Sequence, residues 1–514
     1  MKYYLGIELG STRIKSVLID SDTRVCAQGS YEWENVLVDG LWSYSLESVE
    51  KGLQASYADM ARDFKEKTGE TLTDIVAIGI SAMMHGYLAF DKDMQLLAPF
   101  RTWRNTNTEA AADELSSAFG FNIPMRWSVS HYYQAVLNGE EHVRDVDFIT
   151  TLAGYVHYRL TGKRVLGVGD ASGMFPTVGR VYDSEMLAKL NNKLIEKGIT
   201  TPFESILPAI LLAGEGAGAL TEDGARFLDP TGTLKSGALL APPEGDVGTG
   251  MVATNSVRPK TANISAGTSA FLMVALERAL GSYYKEIDVV ASPAGDPVAM
   301  VHVNNFTTEI TAWANLFEEV IALAGGNIPR GQLFDALFAK SREGRSDCGA
   351  LMGYNFLAGE PVVDVKNGMT LITRAPEGQL GLASFMKMQI YSALGALAIG
   401  CEMLKKENVK IDSVMGHGGF FKAPLVGQSA MSAALGAPVT VMQNAGEGGA
   451  WGIALLALFT AMGGGSLADF LDGVFAGATK GTVSADEREI ADFGAFIEKF
   501  KSGLAVQKLA AEVL

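Results

Sequence analysis

Cysteine is scarce in this chain of 514 residues, which has only Cys26, Cys348 and Cys401. The three lie far apart, form no C-x-x-C pair and make an odd number, which excludes a disulfide framework and a cysteine-rich zinc site. The six histidines are not spaced as metal ligands either. We therefore expect a protein of the reducing cytoplasm that has no structural metal.

Positive charge is also in deficit, because 42 Lys and Arg residues face 58 Asp and Glu residues and the net charge is −16. No surplus of cations is left to neutralise phosphates, which excludes nucleic acid and anionic membranes as main partners. The longest apolar run, 451–462, has about twelve residues, whereas roughly 20 span a bilayer. Glu8 precedes any apolar run at the N-terminus, so we do not expect secretion.

The composition that is present is typical of globular α/β proteins. Hydrophobic residues make up 48% of the chain, and 58 glycines are spread along it. The length favours two domains with separate cores. We predict one domain over 1–250 and a second over 251–514, with the boundary between Gly248 and Thr261. The sequence does not decide between a monomer and a homodimer.

The first residues predict an antiparallel meander followed by an amphipathic helix. Runs rich in β-forming residues predict strands over 3–7, 14–19 and 25–33. Apolar residues at steps of three and four predict a helix over 46–67 that Gly69 ends. A buried strand is predicted to follow this helix, over 75–80.

The second half repeats this order of a strand, a turn rich in Gly and hydroxyl residues, and a strand. Its first strands are predicted over 261–264 and 271–276. Two such turns can converge on one polyphosphate, because their N–H groups and hydroxyls form anion sites. The same residues are also ordinary in turns that bind nothing. The later elements predicted are a helix over 383–406, a strand ending at Gly416, a helix over 424–435, a strand over 439–442 and an apolar helix over 451–462.

Several segments, taken in order, resemble one known family. The opening stretch Gly6–Lys15 resembles the first phosphate motif of the FGGY carbohydrate kinases, with Glu8 where that family usually has Asp. The resemblance runs over nearly the whole chain, and Glu447 and Gly452 fit the closing helix of the family. The other segments similar to its motifs are Ser81–Gly86 with Trp103, Leu160–Gly162, Asp170–Gly173, Gly245–Gly250, Gly267–Ser269, Ala358–Glu360 and Gly418–Lys422 with Gln428.

The resemblance implies an α/β fold of two actin-like, ribonuclease H-like domains with a nucleotide and sugar cleft between them. It implies an ATP-dependent sugar kinase that uses Mg²⁺ to transfer the γ-phosphate to a hydroxyl of a small sugar. The pair Met84 and His85 is similar to that of xylulokinase-like members and favours a ketopentose such as xylulose or ribulose. Xylulokinases carry Asp and Arg at the positions of Asn105 and Asn107, which leaves another ketose, a polyol or a sugar acid open.

The resemblance also assigns roles to single residues. Asp246 is expected to be the catalytic base and to contact both the sugar and Mg²⁺. Glu8 is expected to hold Mg²⁺ directly or through water. The expected sugar-binding residues are Met84, His85, Trp103 and Asn105, with His131 as an additional candidate. The expected nucleotide-binding residues are Gly10, Ser11, Thr12, Lys15, Gly267, Thr268, Gly418, Gly419, Phe420 and Lys422.

Two other functions compete with a sugar kinase. Actin-like folds also serve as chaperones and filaments, which hydrolyse ATP without phosphorylating a sugar. Such proteins would not need the Met84–His85 stretch with Trp103, nor a base at Asp246. A dehydrogenase is disfavoured, because the glycines near the N-terminus lead into a second strand and not into the helix that a dinucleotide fingerprint requires.

Overall fold

The structure is a computed structural model that describes residues 1–423, 425–442, 448–478 and 480–514. The chain divides into two compact units. Unit 1 comprises Met1–Arg258, Asp288–Val298 and Ala445–Gly477, and unit 2 comprises Pro259–Ile287, Ala299–Asn444 and Ala478–Leu514. The predicted division at residue 250 lies shortly before Arg258, and it did not foresee the two later segments that belong to unit 1.

The described residues form strands and helices that alternate along most of the chain. The strands are β1 Tyr4–Leu9, β2 Arg13–Ile19, β3 Val25–Glu32, β4 Val36–Val38, β5 Leu41–Ser43, β6 Ala77–Ala82, β7 Leu88–Phe90, β8 Phe148–Thr150, β9 Val165–Gly167, β10 Thr177–Val178, β11 Val181–Tyr182, β12 Ala209–Leu211, β13 Leu239–Leu240, β14 Glu244–Gly245, β15 Thr261–Ala266, β16 Ala270–Ala275, β17 Asp288–Ala291, β18 Pro297–Val303, β19 Leu351–Phe356, β20 Met369–Arg374, β21 Ser413–His417, β22 Val439–Met442 and β23 Lys480–Val483. The helices are α1 Leu46–Thr68, α2 Glu109–Phe119, α3 Ser128–Asn138, α4 Leu152–Thr161, α5 Val168–Ser172, α6 Ser184–Glu196, α7 Glu222–Leu228, α8 Asp246–Ala253, α9 Thr308–Leu323, α10 Arg330–Ser341, α11 Leu382–Lys406, α12 Val426–Leu435, α13 Gly448–Ala461, α14 Leu467–Val474 and α15 Glu487–Val513. Short 3₁₀ helices cover Glu141–Arg144, Phe203–Ile206, Cys348–Ala350, Pro361–Val363 and Gly419–Lys422.

The main sheet of unit 1 has the strand order β13-β6-β1-β2-β3, and β14 also pairs with β6. Strands β1, β2 and β3 are antiparallel, whereas β6 runs parallel to β1 and to β13 and β14. Helix α1 crosses from the meander to β6, capped at its start by the Ser45 hydroxyl and ended by Gly69 in the left-handed conformation. The predicted meander and helix are confirmed.

The main sheet of unit 2 repeats this plan. Within the unit its strand order is β18-β16-β15-β21-β22-β23. Strands β15 and β16 form an antiparallel hairpin, and β21 and β22 add parallel strands on the other side of β15. The two hairpins and the parallel strands beside them therefore occupy equivalent places in the two sheets, as the repeated sequence pattern predicts.

Helix α13 is the apolar helix predicted near residue 451, and it belongs to unit 1. It packs on β1 and β6, where glycines let its backbone approach the sheet. A Cβ on Gly6 would lie 2.1 Å from the Ala450 carbonyl oxygen, and one on Gly79 would lie 2.5 Å from that of Ile453. The helix therefore rests almost directly on the strand that leads into the first predicted phosphate turn.

One described helix is long and apolar enough to be compared with a membrane span, by length and composition alone. It is α11, Leu382–Lys406, and 83% of its most apolar window is buried inside the protein. This helix is longer than the run 451–462 on which the sequence-based estimate rested. Burial to this extent is what a core helix of a folded domain shows.

Candidate active site

The first predicted phosphate turn joins β1 to β2 in unit 1. The carbonyl of Gly10 accepts a hydrogen bond from Trp33 Nε1 at 2.7 Å, and the carbonyl of Ser11 accepts one from the Tyr44 hydroxyl at 2.6 Å. Thr12 is exposed at the tip of the turn. Two aromatic donors thus fix the turn by its carbonyls, which makes it a rigid element.

Glu8 lies at the end of β1, opposite Lys15 of β2. Its pKa is raised to about 7, first by burial and then by the charge of Asp246, while Lys15 and a backbone hydrogen bond from Ala450 act in the opposite direction. A Cβ on Gly449 would lie 2.1 Å from Glu8 Oε1, so this glycine leaves the room that the long side chain needs. The Glu8 carboxylate therefore faces the first turn of α13, where partial positive charge favours an anion.

Asp246 begins α8 directly after β14. The backbone N–H of Met84 donates a hydrogen bond to Asp246 Oδ1 at 3.1 Å. Asp246 is accessible to solvent, yet protein surrounds it so closely that desolvation raises its pKa, against backbone hydrogen bonds and the charge of Arg126. The result is an accessible carboxylate whose proton affinity is higher than that of an ordinary Asp.

His85 is buried directly beside Met84. Its backbone has a φ of 72°, which is rare outside glycine, and its Nδ1 lies 3.2 Å from the Gly173 carbonyl oxygen. Burial holds its pKa well below the usual value, so the ring is neutral. Because a carbonyl only accepts, Nδ1 carries the proton and Nε2 is left as an acceptor. A Cβ on Gly173 would lie 2.6 Å from His85 Nδ1, so glycine is needed there.

Trp103 and Asn105 follow on the same loop but differ in their surroundings. Trp103 is 39% exposed, and its Nε1 donates to the Ser11 hydroxyl at 3.2 Å, which ties it to the first phosphate turn. Asn105 is buried, and its amide bonds to the carbonyls of Trp42 and Thr102 and accepts from the Trp42 N–H. These backbone bonds occupy the Asn105 amide, so its geometry supports a role in holding the loop more than the predicted contact with a sugar.

His131 is placed inside the protein and not on its surface. It is fully buried on α3, and its two ring nitrogens have no hydrogen-bond partner among the described residues. Burial lowers its pKa to about 3, with the charge of Arg101 as a smaller cause. A neutral ring at this depth can reach a substrate only if the wall of the site opens.

Two buried carboxylates next to Asp246 were not among the predicted site residues. Glu244 accepts hydrogen bonds from the backbone N–H of Asp170 at 3.0 Å and of Gly169 at 3.4 Å, and burial raises its pKa to about 8. Asp170 accepts from the Thr151 hydroxyl at 2.5 Å, and burial raises its pKa to about 7. The signal for Glu244 was its position two residues before Asp246 at the end of a strand.

Arg126 is a second residue that the sequence did not single out. Its guanidinium forms an ion pair with Asp288, which also accepts a hydrogen bond from Asn122 Nδ2 at 2.7 Å. The positive charge of Arg126 lowers the pKa of both Asp246 and His85. Because Arg126 precedes α3 without any motif of its own, only the folded chain reveals it near the predicted base.

The second predicted phosphate turn joins β15 to β16 in unit 2. The Gly267 carbonyl accepts from the Thr307 hydroxyl at 2.6 Å, and the Thr268 carbonyl accepts from the Phe306 N–H at 2.9 Å. The Thr308 hydroxyl donates weakly to the same Thr268 carbonyl at 3.4 Å. As in unit 1, the turn is held by its carbonyls.

The predicted adenosine segment follows β21 in unit 2. Gly418 has a φ of 107°, and a Cβ there would lie 2.4 Å from the Ala266 carbonyl oxygen, so only glycine fits. Gly418, Gly419 and Lys422 are exposed, whereas Phe420 is only 1% exposed. The exposed glycines therefore lie beside the end of β15, where the second phosphate turn begins.

Phe420 serves the core of unit 2. Its ring centroid lies 4.9 Å from that of Phe306 and 5.7 Å from that of Phe338. Gln428, which the family resemblance placed in the same segment, donates to carbonyls of β22 and β23. Both side chains thus hold the segment in place, and neither presents a free face to a ligand.

Two residues named from the sequence, Pro424 and Glu447, lie outside the described residues.

Over the part of the chain that the structure describes, no group of three or more His, Cys, Asp or Glu side chains is arranged to hold a metal ion. Glu8 and Asp246 make a pair, and the charge of Asp246 raises the pKa of Glu8. A pair of this kind suits a metal that completes its shell with water or substrate oxygens.

Comparison with known proteins identifies the family of the chain. The model of the N-terminal domain of the FGGY family of carbohydrate kinases matches residues 3–231, and the model of its C-terminal domain matches residues 262–461. These matches cover most of the chain. The chain therefore belongs to the FGGY family of carbohydrate kinases, and it is a phosphotransferase of that family.

Curated relatives are more distant. The chain is 22% identical to the xylulose kinase of Haemophilus influenzae over 477 residues, 87% of this chain and 91% of that protein. It is 26% identical to the xylulose kinase of Bacillus subtilis over 188 residues, which are only 36% of that protein.

Solved structures confirm two actin-like domains. A xylulose kinase from Rhodospirillum rubrum superposes with a TM-score of 0.79 at 15% identity, over 98% of this chain and 99% of that chain. A gluconate kinase from Lactobacillus acidophilus superposes equally well, at 0.79 and 16% identity, over 98% of both chains. Such distant likenesses define the fold and leave the sugar open.

Proposed function

We propose that this chain uses ATP to phosphorylate a hydroxyl of a ketopentose such as xylulose or ribulose. The observation that carries the proposal is the hydrogen bond from the Met84 N–H to Asp246 Oδ1, which joins two motifs 162 residues apart. It holds an accessible carboxylate against the backbone of Met84, the residue before His85. The curated relatives named above, which are xylulose kinases, support the choice of a ketopentose.

In the proposed reaction Asp246 accepts the proton of the sugar hydroxyl as that oxygen attacks the γ-phosphorus. The new O–P bond forms as the bond from the γ-phosphorus to the β,γ-bridging oxygen breaks, and ADP leaves with that electron pair. The raised pKa of Asp246 makes it a better proton acceptor than an ordinary Asp. His85 Nε2 is proposed to accept a hydrogen bond from a second sugar hydroxyl, and the exposed ring of Trp103 is proposed to pack on the C–H face of the sugar.

Mg²⁺ is proposed to be held by Glu8 and Asp246. The fit rests on two carboxylates that repel each other, of which Glu8 has a raised pKa of about 7, so a cation between them would remove an unfavourable interaction. Bound Mg²⁺ supplies charge neutralisation for the phosphates and normally keeps several waters. Glu8 is long enough to act through one of these waters.

The nucleotide is proposed to use the two phosphate turns and the segment after β21. Ser11, Thr12 and Lys15 are proposed to provide donors in unit 1, and Thr268 in unit 2. Gly10 and Gly267, whose N–H groups bond to carbonyls of their own turns, are proposed to let phosphate approach the backbone closely. Gly418, Gly419 and Lys422 are proposed to bind the adenosine, with Phe420 supporting them from the core. A cytoplasmic location is also proposed, supported by three cysteines that are unpaired.

The proposal is tested by coupled detection of ADP over ketopentoses, ketohexoses, polyols and aldonic acids, each with Mg²⁺ and each compared with the rate without sugar. We expect a ketopentose to give the highest kcat/KM. If a polyol or an aldonic acid gave a higher kcat/KM, the kinase activity would stand and the choice of a ketopentose would be wrong. If no compound raised ADP release above the rate without sugar, the kinase activity itself would be wrong and an actin-like ATPase of another kind would be favoured.

A further inference from the structure

Glu360 of unit 2 is a buried acid that has no place in the reaction proposed above. It follows β19, and none of its surface is exposed. Its Oε2 accepts three hydrogen bonds, from the backbone N–H of Asn304 at 2.9 Å, the N–H of Asn305 at 3.1 Å and Asn305 Nδ2 at 3.1 Å. Because these three donors belong to two consecutive residues, Glu360 fixes the backbone of Asn304 and Asn305.

The segments around Glu360 and Asn305 are also joined in the other direction. Asn305 Oδ1 accepts from the Ala358 N–H at 2.9 Å, and Asn304 Nδ2 donates to the Gly359 carbonyl at 2.8 Å. The loop between β18 and α9 is therefore held against the stretch after β19 by a network in which Glu360 is the ionisable member. Removal of its carboxylate would leave the backbone N–H groups of Asn304 and Asn305 without their acceptor, whereas Asn305 Nδ2 would keep the Ala358 carbonyl at 3.1 Å.

The residues that follow Asn305 hold the second phosphate turn. The Phe306 N–H donates to the Thr268 carbonyl at 2.9 Å, and the Thr307 hydroxyl donates to the Gly267 carbonyl at 2.6 Å. In a trans peptide the C=O of one residue and the N–H of the next point in opposite directions. When both carbonyls are held by this loop, the N–H groups of Thr268 and Ser269 are directed away from it, toward the opposite side of the turn.

We propose that Glu360 is a positioning residue for the nucleotide: it fixes the loop Asn304–Thr307, which in turn aims the N–H groups of the second phosphate turn. The proposal rests on the proposed function, because it requires phosphate to bind at that turn. It predicts that a substitution of Glu360 weakens ATP binding through Thr307 and leaves sugar binding unchanged.

The test compares Glu360→Gln with Thr307→Val, which keeps its shape and loses only the hydroxyl bond to Gly267. Both variants should raise the KM for ATP by about fivefold to tenfold, the scale of one weakened hydrogen bond, with the KM for sugar unchanged. The double variant should be no worse than the poorer single variant, because both act along one path. If the increases in the KM for ATP of the two single variants multiplied in the double variant, the residues would act independently and the path from Glu360 through Thr307 would be wrong.

A matched control separates positioning from general loss of stability. Lys387 Nζ and Asp492 Oδ2 form a buried ion pair of unit 2, at 2.5 Å, that does not touch the turn. Asp492→Asn should lower the melting temperature and leave the KM for ATP unchanged. If Glu360→Gln and Asp492→Asn changed the KM for ATP alike, or if Thr307→Val left it unchanged, the inference would be wrong.

A direct calorimetric measurement of ATP affinity distinguishes failure of this inference from failure of the proposed function. A wild-type protein that binds ATP but phosphorylates no sugar contradicts the proposed function, and weaker ATP binding by Thr307→Val still supports the role of the loop. A wild type that phosphorylates a sugar, together with a Glu360→Gln variant of normal ATP affinity, contradicts the inference alone.

Discussion

At the scale of single residues, the acids around the predicted base differ in what surrounds them. Glu244 and Asp170 are each only 1% exposed and are held by hydrogen bonds inside unit 1. Asp246 is the one of these three that solvent reaches, and the Met84 N–H fixes only one of its oxygens. A general base must reach the proton that it accepts, so accessibility selects Asp246 from the group.

We expect Asp246→Asn to lower kcat on the best sugar by on the order of 10²-fold or more, the usual scale for the loss of a general base. The amide oxygen can still accept from the Met84 N–H, so ATP affinity and the melting temperature should change little. Measurement of kcat, ATP affinity and melting temperature on the same preparation checks this. A near-normal kcat would show that Asp246 is not the base, and Asp170 would be the next residue to change.

Glu8→Gln should instead change the response to Mg²⁺. With a pKa of about 7, Glu8 binds a proton as the pH falls from 8 to 6, and the proton competes with the metal. The Mg²⁺ concentration that gives half of the maximal rate should therefore rise as the pH falls in the wild type.

In Glu8→Gln that concentration should be higher and nearly independent of pH. Glu8→Asp, which keeps the charge, is the matched control and should retain the pH dependence. An unchanged Mg²⁺ requirement in Glu8→Gln would remove this residue from the metal site.

The roles of single residues were only partly predictable from the sequence. The neighbours Met84 and His85 and the proposed base Asp246 stood out because their order along the chain resembles a family. Asn105 and Phe420 carry the same kind of resemblance, but their contacts are with Trp42 and with Phe306 and Phe338, which are remote in sequence. Periodicity and motif spacing contain no information about such partners.

At the scale of elements, the two hairpins and the parallel strands beside them were predictable because strand and turn signals are local. The predicted helix 383–406 is α11, and the predicted strand 439–442 is β22. Helices α14 and α15 were not predicted, and neither was the return of α13 to unit 1. An apolar run indicates burial, but only the folded chain shows which sheet buries it.

The close contact of α13 with β1 makes Gly6 a sensitive position. In Gly6→Ala the new Cβ would lie 2.1 Å from the Ala450 carbonyl oxygen and 2.6 Å from the Ala454 nitrogen, both backbone atoms that cannot rotate away. Displacement of the helix should cost about 1–3 kcal/mol, the usual range for overpacking. Urea unfolding of the variant and the wild type measures the difference.

Gly250→Ala is the matched control for Gly6→Ala. Gly250 lies within α8 of the same unit, and a Cβ there would meet no atom within 4 Å. Alanine in a helix is favoured over glycine by roughly 0.5–1 kcal/mol, so this variant should be as stable as the wild type or more stable. Equal stability of Gly6→Ala and the wild type would contradict the tight packing of α13 on β1.

At the scale of the whole molecule, several buried acids have raised pKa values. The pKa is raised to about 7 for Glu8, Asp170 and Glu360 and to about 8 for Glu244, and burial is the largest cause for all four. In the unfolded chain such groups have a pKa of about 4. The folded protein therefore holds more protons than the unfolded chain at neutral pH.

This difference fixes the direction in which stability depends on pH. Because the unfolded chain binds fewer protons, the free energy of unfolding falls as the pH rises, until the pH exceeds the folded pKa values. The buried histidines, whose pKa values are lowered, act in the opposite direction, because the unfolded chain gains their protons as the pH falls toward and below about 6.5. Above that pH the effect of the histidines fades and the effect of the acids dominates.

We expect the melting temperature of the ligand-free protein to fall steadily between pH 6.5 and 8.5, a window set by the approximate histidine and cysteine values of unfolded chains. Glu244→Gln keeps the shape of the side chain and removes the group with the highest pKa of the four, so the melting temperature of this variant should fall less over the same window. Glu222→Gln, on the exposed start of α7, is the control and should follow the wild type. Calorimetric scans at matched ionic strength measure all three proteins. A wild-type melting temperature that rises with pH in this window, or equal slopes for Glu244→Gln and the wild type, would show that Glu244 is already ionised in the folded protein.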